Sequence, residues 1–501
     1  MGKAPNSVVI QGGLLLNAAD HKTVQADILV VDDTIREVSS PGMPVPEGAA
    51  AIDAAGKLLI PGLVNAHTHG HGSLSKGVAD RWTLELLINA GSWTSANFTV
   101  EDKYLATMVN AAEMVRKGCT AAYDLFLEIP LPSREGMEAV ARAYADVGMR
   151  AVVAPMMTDS LIYAAIPGLL DAFPTALRKR LAELQASPFE TQIAISRELL
   201  THWSHERASV RPALAPSVPF YCSDEFLVAC RDLARDFDVG IQMHLGESKV
   251  EAVSGIRRYG KTLTAHLETL GLLGANFTAA HCVWVDDEDL QRLGDAGAAV
   301  VHNPGSNMRL GCGVAPVRAM LDRKIRVAIG TDGSVSSDSQ NMFQAMRLAS
   351  FVSRIQSLDY RTWLTTEEIV ELATIGGANA LGFDGTIGRI APTYKADIVF
   401  LDLTNINYVP LNDATNQVVN SEDSGGVESV MIAGRMVLEK GRFTSLNYEK
   451  MLRDVENATD RLRAANADAK DLACKIEEIV GLYCVGLAQA PYHVHRFCGH
   501  T

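Results

Sequence analysis

The stretch Ile60-Pro61-Gly62-Leu63-Val64-Asn65-Ala66-His67-Thr68-His69 decides the fold prediction. In it, an apolar run leads directly into two histidines that are separated by one residue. Because side chains two apart on an extended strand point to the same side, His67 and His69 should face the same way. We therefore interpret this stretch as a buried strand that ends by presenting two imidazoles to one point.

A strand-then-helix pattern continues from this stretch to about residue 382. Helical patterns such as those at 101–117 and 224–237 separate the strand candidates. No glycine-rich phosphate loop follows an early strand, which disfavours an open doubly wound sheet. Eight parallel strands with intervening helices predict an α/β fold, a closed (β/α)₈ TIM barrel. The strand candidates are 58–63, 119–124, 150–156, 211–217, 240–245, 276–282, 298–303 and 326–332.

The sequence on either side of this central part has a different pattern. Short apolar runs alternate with Gly and Asp turns over residues 1–60, and a similar pattern returns at 383–445. We predict that these two parts form one small β-sandwich domain beside a barrel at 61–382. Apolar residues at helical spacing among many charges predict a helical C-terminal extension at 446–501.

Three more residues with metal-binding side chains lie at the ends of predicted strands. His244 ends the fifth strand, His281 the sixth and Asp332 the eighth. The active sites of such barrels lie at the C-terminal ends of the strands, so these residues should meet His67 and His69. A single histidine of this kind is more often a hydrogen-bonded structural residue. Five such positions together favour a catalytic metal site, because ligands on separate strands can leave a coordination position open.

Glu247 follows His244 by three residues as the chain leaves the fifth strand. This offset can place its carboxylate above the metal without making it a ligand. There it could take a proton from metal-activated water and pass it to a leaving group. The alternative is an ordinary salt bridge in a loop.

The composition excludes several classes of partner. The formal net charge of −14 repels nucleic-acid backbones and anionic lipid surfaces, so neither nucleic acid nor membrane is expected as a partner. The sequence has no apolar run of membrane-spanning length and no signal-peptide core. Its eight cysteines are scattered without a CxxC pair, which is typical of reduced thiols in a cytoplasmic protein.

On these residues the chain resembles the amidohydrolase superfamily. More narrowly, it is similar to the branch of cytosine and guanine deaminases and s-triazine (atrazine and chlorotriazine) hydrolases. The resemblance covers about residues 5–440 and begins with the stretch 61–69. The other stretches that carry it are His244-Leu245-Gly246-Glu247-Ser248, Ala280-His281-Cys282, the run 302–316 and Gly330-Thr331-Asp332-Gly333.

The resemblance implies one divalent metal per chain, Zn²⁺ first and Fe²⁺ as the alternative. It also implies that Glu247 is a proton shuttle, that His281 polarises the attacked group or the hydroxide, and that Asp332 is a base as well as a ligand. Relatives with two metals bridge them with a carboxylated lysine on the fourth strand, and the stretch 211–217 has no lysine. The implied metal ligands are His67, His69, His244 and Asp332.

The same resemblance implies an aminohydrolase in which metal-bound hydroxide attacks an sp² ring carbon and ammonia is released. The substrate would be a small planar nitrogen heterocycle of purine, pyrimidine, pterin or triazine type. Another leaving group, such as chloride or an alkylamine, or hydrolysis of an amide or urea, remains an alternative. Ser217 stands where adenine-nucleoside deaminases carry a histidine, which argues against nucleoside recognition. Trp93 could cover a flat substrate or could simply pack within a helix.

The last residues of the sequence are rich in histidine. His493, His495, Cys498 and His500 could form a second metal site, but no rigid strands support them. We expect instead that this tail packs over a neighbouring subunit. The amphipathic C-terminal segment and the habit of the family predict a homo-oligomer, either a dimer or a tetramer.

Overall fold

The structure is a computed structural model, and it describes residues 7–16, 22–184 and 186–497. Parallel strands alternate with helices through its centre, and strands from both ends of the chain form a separate sheet. The strands are β1 (Ser7–Leu16), β2 (Thr23–Val31), β3 (Thr34–Ser39), β4 (Ala50–Asp53), β5 (Lys57–Pro61), β6 (Leu63–Thr68), β7 (Cys119–Leu127), β8 (Arg150–Met157), β9 (Val210–Pro212), β10 (Ala215–Pro216), β11 (Ile241–Leu245), β12 (Phe277–His281), β13 (Ala299–His302), β14 (Arg326–Ile329), β15 (Ile398–Asp402), β16 (Val427–Ile432), β17 (Arg435–Glu439) and β18 (Arg442–Phe443).

The helices lie mainly between the barrel strands and after the second part of the flanking sheet. They are α1 (Leu84–Thr94), α2 (Val100–Arg116), α3 (Arg134–Val147), α4 (Ile162–Ala165), α5 (Thr175–Ala182), α6 (Phe189–Thr201), α7 (Asp224–Phe237), α8 (Lys249–Tyr259), α9 (Leu263–Thr269), α10 (Asp287–Asp295), α11 (Pro304–Arg309), α12 (Val317–Asp322), α13 (Met342–Arg354), α14 (Thr366–Glu371), α15 (Gly377–Ala380), α16 (Ala414–Asn420), α17 (Tyr448–Ala465) and α18 (Ala467–Ala488).

The barrel is built from two groups of parallel strands. β6 to β10 form one group and β11 to β14 form the other. A bridge between Leu214 and Ile241 joins the groups on one side. On the other side, the Asp332 amide donates a 2.9 Å hydrogen bond to the carbonyl of His67. The predicted (β/α)₈ barrel is confirmed, and the bond that closes it joins two of the predicted metal ligands.

The first barrel strand differs from its prediction. The sequence predicts one strand at 58–63, but the chain changes sheets inside it. β5 pairs antiparallel with β15 in the flanking sheet, and the barrel strand β6 begins only at Leu63. Pro61 has no amide hydrogen to continue a ladder, and a Cβ at Gly62 would collide with the side chain of Thr120. These two residues therefore form the crossing between the two sheets.

Within the described residues, the flanking sheet has nine strands and unites an early and a late part of the chain. β1 pairs with β5, and β5 pairs with β15, so the early and late parts share one ladder. Its apolar side chains form a core separate from that of the barrel, including Ile10, Ile28, Leu59 and Phe400. This arrangement confirms the predicted β-sandwich domain. The boundaries at residues 60, 382 and 445 stay a prediction.

The C-terminal extension consists of two helices followed by a short tail. α18 packs along α1 and α8. The side-chain amide of Asn89 on α1 donates a 3.2 Å hydrogen bond to the backbone carbonyl of Ala473 on α18. After α18, the Val314 amide donates to the carbonyl of Arg496 at 2.9 Å. The tail therefore packs on its own barrel, and the expectation that it covers a neighbouring subunit stays a prediction. These contacts are available to it because α18 already runs along the same side of the barrel.

The structure describes part of the histidine-rich tail and also bears on the prediction about membranes. The imidazole of His493 binds the carboxylate of Asp286 at 2.7 Å, whereas Cys498 and His500 lie outside the described residues. Over residues 7–16, 22–184 and 186–497, no helix has the length and apolar character needed to cross a membrane.

A buried ion pair connects the barrel with the flanking sheet. The Arg150 guanidinium, at the start of β8, donates to both carboxylate oxygens of Asp397 at 2.8 and 3.2 Å. Asp397 also accepts the Ala433 amide at 2.7 Å, and both charged side chains are buried. The pair therefore ties the first residue of a barrel strand to the turn that leads into β15.

Replacing Asp397 with asparagine should strongly destabilise the protein. The change would leave the Arg150 charge buried without its counter-ion, which typically costs about 3–5 kcal/mol of unfolding free energy. Urea unfolding followed by circular dichroism measures the effect. The control is Asp359→Asn, because Asp359 holds Arg361 in the same two-pronged way on the exposed surface. Equal unfolding midpoints for the two variants would contradict the importance of burial.

Candidate metal centre

The four predicted metal ligands and the predicted catalytic residue His281 meet at the C-terminal end of the barrel. His67 and His69 lie on β6, His244 on β11 and His281 at the end of β12, and Asp332 follows β14. The Nε2 atom of His69 lies 3.1 Å from Nε2 of His244 and 3.3 Å from Oδ1 of Asp332. The geometry defines two candidate ligand groups, His67 with His69 and His244, and His67 with His281 and Asp332.

Hydrogen bonds fix the orientation of all four imidazoles. In each ring, Nδ1 lies against an oxygen acceptor, so this nitrogen carries the hydrogen. Each Nε2 is consequently unprotonated and points into the common centre, which is the arrangement that metal-binding histidines adopt. The four acceptors are Gln242 Oε1 at 2.6 Å from His67, the Leu125 carbonyl at 2.7 Å from His69, the Ser217 carbonyl at 2.9 Å from His244 and Asn307 Oδ1 at 2.8 Å from His281.

This donor set fits a divalent cation. The bare Nε2 atoms of His69 and His244 face each other at 3.1 Å, and neither has a hydrogen to donate to the other. The Nε2 atoms of His67 and His281 are buried and have no hydrogen-bond partner in the described part of the chain. A cation would attract all these lone pairs, whereas without one they repel each other. Burial lowers the pKa of His67 well below its usual value and that of His244 to about 3, which keeps both rings in the neutral, metal-binding form.

Asp332 adds a negative charge to this group of neutral nitrogens. Burial alone would raise the pKa of Asp332, whereas the hydrogen bond from the Ser306 hydroxyl lowers it. The carboxylate accepts the Gly333 amide at 2.6 Å and the Ser306 hydroxyl at 2.5 Å. Its backbone is left-handed, with φ of 63°, three residues after β14 ends. Asp332 is therefore a preoriented anionic donor.

Glu247 lies on the other side of the centre. Its Oε2 is 3.5 Å from Nε2 of His281, and its Oε1 is 3.9 Å from the Cys312 thiol. The side chain is buried. Burial and the nearby charge of Asp332 raise the pKa of Glu247 well above its ordinary value. A carboxyl group in this environment can hold a proton beside the centre and release it there.

Several supporting residues were not predicted from the sequence. Gln242 lies two residues before His244, and strand alternation could have placed it on the same face. Ser306 and Asn307 belong to the run 302–316, but only the fold shows that they reach Asp332 and His281. Glu85 on α1 is buried and accepts the Ser248 hydroxyl at 2.8 Å, a contact without any sequence signal.

The two predicted substrate contacts remain predictions. The ring of Trp93 packs edge-on against Trp82 at 6.3 Å, and the ammonium of Lys470 on α18 lies 4.9 Å from its centre. These contacts are those of a packed helix, the alternative given for Trp93. Ser217 is buried, and its carbonyl orients His244, so its backbone already has a role. His71 accepts the Leu127 amide at 3.0 Å, as expected for a structural residue.

Comparisons with known proteins agree with this site. The model of the amidohydrolase family matches residues 58–437, which include every predicted metal ligand. This chain belongs to the amidohydrolase family. Membership of this family makes the protein a hydrolase that acts on carbon–nitrogen bonds, as the sequence predicts.

Three similar proteins show which kinds of enzyme this chain resembles. The 5-methylthioadenosine/S-adenosylhomocysteine deaminase of Syntrophobacter fumaroxidans is 34% identical over 81% of this chain and 85% of its own. An adenosine deaminase from Xanthomonas campestris, crystallised with bound zinc, is 27% identical with a TM-score of 0.79, covering 92% of this chain and 99% of its own. The atrazine chlorohydrolase of Arthrobacter aurescens, at 24% identity, 90% and 100% coverage and a TM-score of 0.79, shares the fold.

Replacing His69 with alanine should abolish tight metal binding. Loss of a residue that merely supports a ligand weakens metal affinity by about 10–100-fold, so loss of a ligand should weaken it by more than about 100-fold. Competition with a chromophoric chelator measures the zinc affinity. The control is His71→Ala, because His71 is nearby but bonds the Leu127 amide. If His71→Ala loses zinc and His69→Ala keeps it, the assigned ligand set is wrong.

Proposed function

We propose that this amidohydrolase is a zinc-dependent aminohydrolase that removes an amino group as ammonia from a purine-type heterocycle. The observation that carries the proposal is the pairing of Glu247 and His281 beside a group of converging bare imidazoles. The names of the two deaminase relatives support adenine-type rings. The predicted alternatives with chloride or alkylamine as leaving group have no observation that favours them, since the likeness to the chlorohydrolase extends only to the fold.

In this proposal His67, His69, His244 and Asp332 hold a single divalent ion. The donor set of three neutral imidazoles and one carboxylate suits zinc, and the zinc in the adenosine deaminase structure supports the same choice. When bound, such an ion supplies Lewis acidity and lowers the pKa of water toward about 7.

Glu247 carries the proton of the reaction. Its carboxylate takes a proton from the attacking water, and its protonated form then delivers that proton to the departing amino nitrogen. Glu247 is buried, so a proton that it takes up is shielded from exchange with bulk solvent.

His281 orients the attacking water next to Glu247. Its Nδ1–H donates to Asn307, so its Nε2 can accept a hydrogen bond but cannot donate one. Burial lowers the pKa of His281, which keeps it in this neutral form. Oδ2 of Asp332 lies 4.0 Å from the same Nε2, which places this carboxylate beside the proposed attacking water as a second base for its proton. His281 was predicted to polarise either the attacked group or the hydroxide. This tautomer favours the second role, because its Nε2 can accept a hydrogen bond from the attacking water.

Ser217 leaves the form of the purine substrate open between free base and nucleoside. It stands where adenine-nucleoside deaminases carry a histidine, and its carbonyl is committed to His244. The relatives named for adenine nucleosides nevertheless align over most of the chain. Both forms therefore belong in the substrate test.

The substrate class can be tested by measuring ammonia release from the zinc-loaded protein. The panel contains aminopurine bases and nucleosides, aminopyrimidines, pterins and aminotriazines. We expect release from purines above all others, because the proposed site removes an amino group from a purine-type ring. Release from another ring class alone would correct the substrate. If no compound yields ammonia, chloride and alkylamine products from triazines are measured next, and their appearance would replace deamination.

Replacing Glu247 with glutamine should remove activity and leave the metal in place. Glutamine has nearly the same shape but cannot carry a proton, so kcat should fall by about 10²–10⁴-fold. Ammonia release and bound zinc are measured on the same preparation. Glu268→Gln serves as the control because Glu268 pairs with Arg292 on the surface. A Glu247→Gln protein that keeps its zinc and turns over like the parent would eliminate the proposed proton carrier.

A further inference from the structure

Residues 492–497, which we call the C-terminal strap, cross two loops on the proton-transfer side of the centre. The first loop, 282–286, directly follows His281. The second, 311–314, contains Cys312, whose thiol is beside Glu247. Tyr492 and Val494 of the strap also pack against the main apolar core. The strap therefore lies behind both residues proposed to handle the proton.

Arg496 connects the two loops through three hydrogen bonds. Its carbonyl accepts the Val314 amide at 2.9 Å, in the second loop. Its guanidinium donates to the carbonyls of Val283 and Val285 at 2.8 and 2.5 Å, in the first loop. A Cβ at Gly313 would lie only 2.8 Å from the Arg496 carbonyl, which shows how closely the strap approaches the second loop.

Trp284 transmits these contacts to the site. Its backbone amide donates at 2.7 Å to the carbonyl of Gly246, the residue before Glu247. Its indole N–H donates at 2.7 Å to the carbonyl of Cys312. On the strap side, its buried ring packs edge-on against the rings of Phe497 and Tyr492, with centroid distances of 5.3 and 6.1 Å. Through Trp284, the strap is therefore connected to the backbone next to Glu247.

We propose that the C-terminal strap is a positioning element for the reaction, with Arg496 as its positioning residue. The inference rests on the proposed function and adds to it the part of the chain that keeps Glu247 and His281 in proton-transfer geometry. The metal ligands are oriented by contacts that do not involve the strap, namely Gln242, the Leu125 carbonyl and the Ser217 carbonyl. The strap thus acts on proton transfer and leaves metal binding unaffected.

The first test compares full-length Arg496→Ala and Arg496→Lys with the parent protein. Small misplacements of catalytic groups cost up to about 100-fold in rate, so we expect Arg496→Ala to lower kcat by about 10-fold. KM and bound zinc should change little. Arg496→Lys should recover part of kcat, because an ammonium can still donate to one loop carbonyl.

The matched control is Arg323→Ala. Arg323 also donates to a backbone carbonyl and to a neighbouring side chain, at Ala319 and Asp287, and neither of these partners belongs to the two loops. Its kcat should equal that of the parent. A merely structural role for Arg496 would lower the melting temperature and leave kcat of the folded protein unchanged. That result, or an equal loss of kcat in Arg323→Ala, would overturn the proposal.

A second test does not depend on the substrate. Amide hydrogen exchange should become faster at 282–286 and 311–314 in Arg496→Ala, remain unchanged at 63–69, and remain unchanged everywhere in Arg323→Ala except around its own contacts. Unchanged exchange in the two loops would overturn the role of the strap. If the parent protein turns over no member of the substrate panel, the proposed function fails, and the exchange result alone then decides whether the strap holds these loops.

Discussion

The hydrogen bonds that the Nδ1–H groups of four histidines donate are the constraint on which the site depends. Each fixes the tautomer of its ring, so four bare Nε2 atoms point into one buried space. Such a cluster of lone pairs is unfavourable without a cation, because no described donor group satisfies His67 or His281 there. The barrel supplies the rigidity that holds this arrangement, and the Asp332–His67 backbone bond closes the barrel at the same place.

The two sides of the centre are supported by different parts of the fold. On the metal side, the ligands come from strand ends and are oriented by neighbouring strands, as Gln242 and Leu125 show. On the proton side, His281 is followed by the loop 282–286, and Glu247 lies just before α8. Trp284 in that loop bonds the carbonyls of Gly246 and Cys312. Metal binding and proton transfer can therefore respond separately to mutation, although their reacting groups lie within a few ångströms of each other.

The successful predictions depend on local sequence patterns, whereas the missed features depend on contacts between distant parts of the chain. His67, His69, His244, His281 and Asp332 were predicted to converge because each ends an apolar run and barrel geometry places strand ends together. The prediction of a single strand at 58–63 was wrong, because hydrophobicity cannot reveal that Pro61 and Gly62 lead the chain from one sheet into another. The contacts of the tail with its own barrel were not predicted, because its partners in the 282–286 and 311–314 loops are about two hundred residues away in sequence.

The sequence by itself determined the family, the barrel and the identity of the proposed ligands, since these depend on residue type and on periodicity along single strands. Only the tertiary structure decided which nitrogen of each histidine faces the centre, where the barrel closes and what supports Glu247. Those features depend on contacts such as Asn307 with His281 and Trp284 with Cys312, which no local pattern encodes. The physical reason is that a hydrogen bond fixes a side chain through its distance and direction in space, and the folded chain alone brings its two partners together.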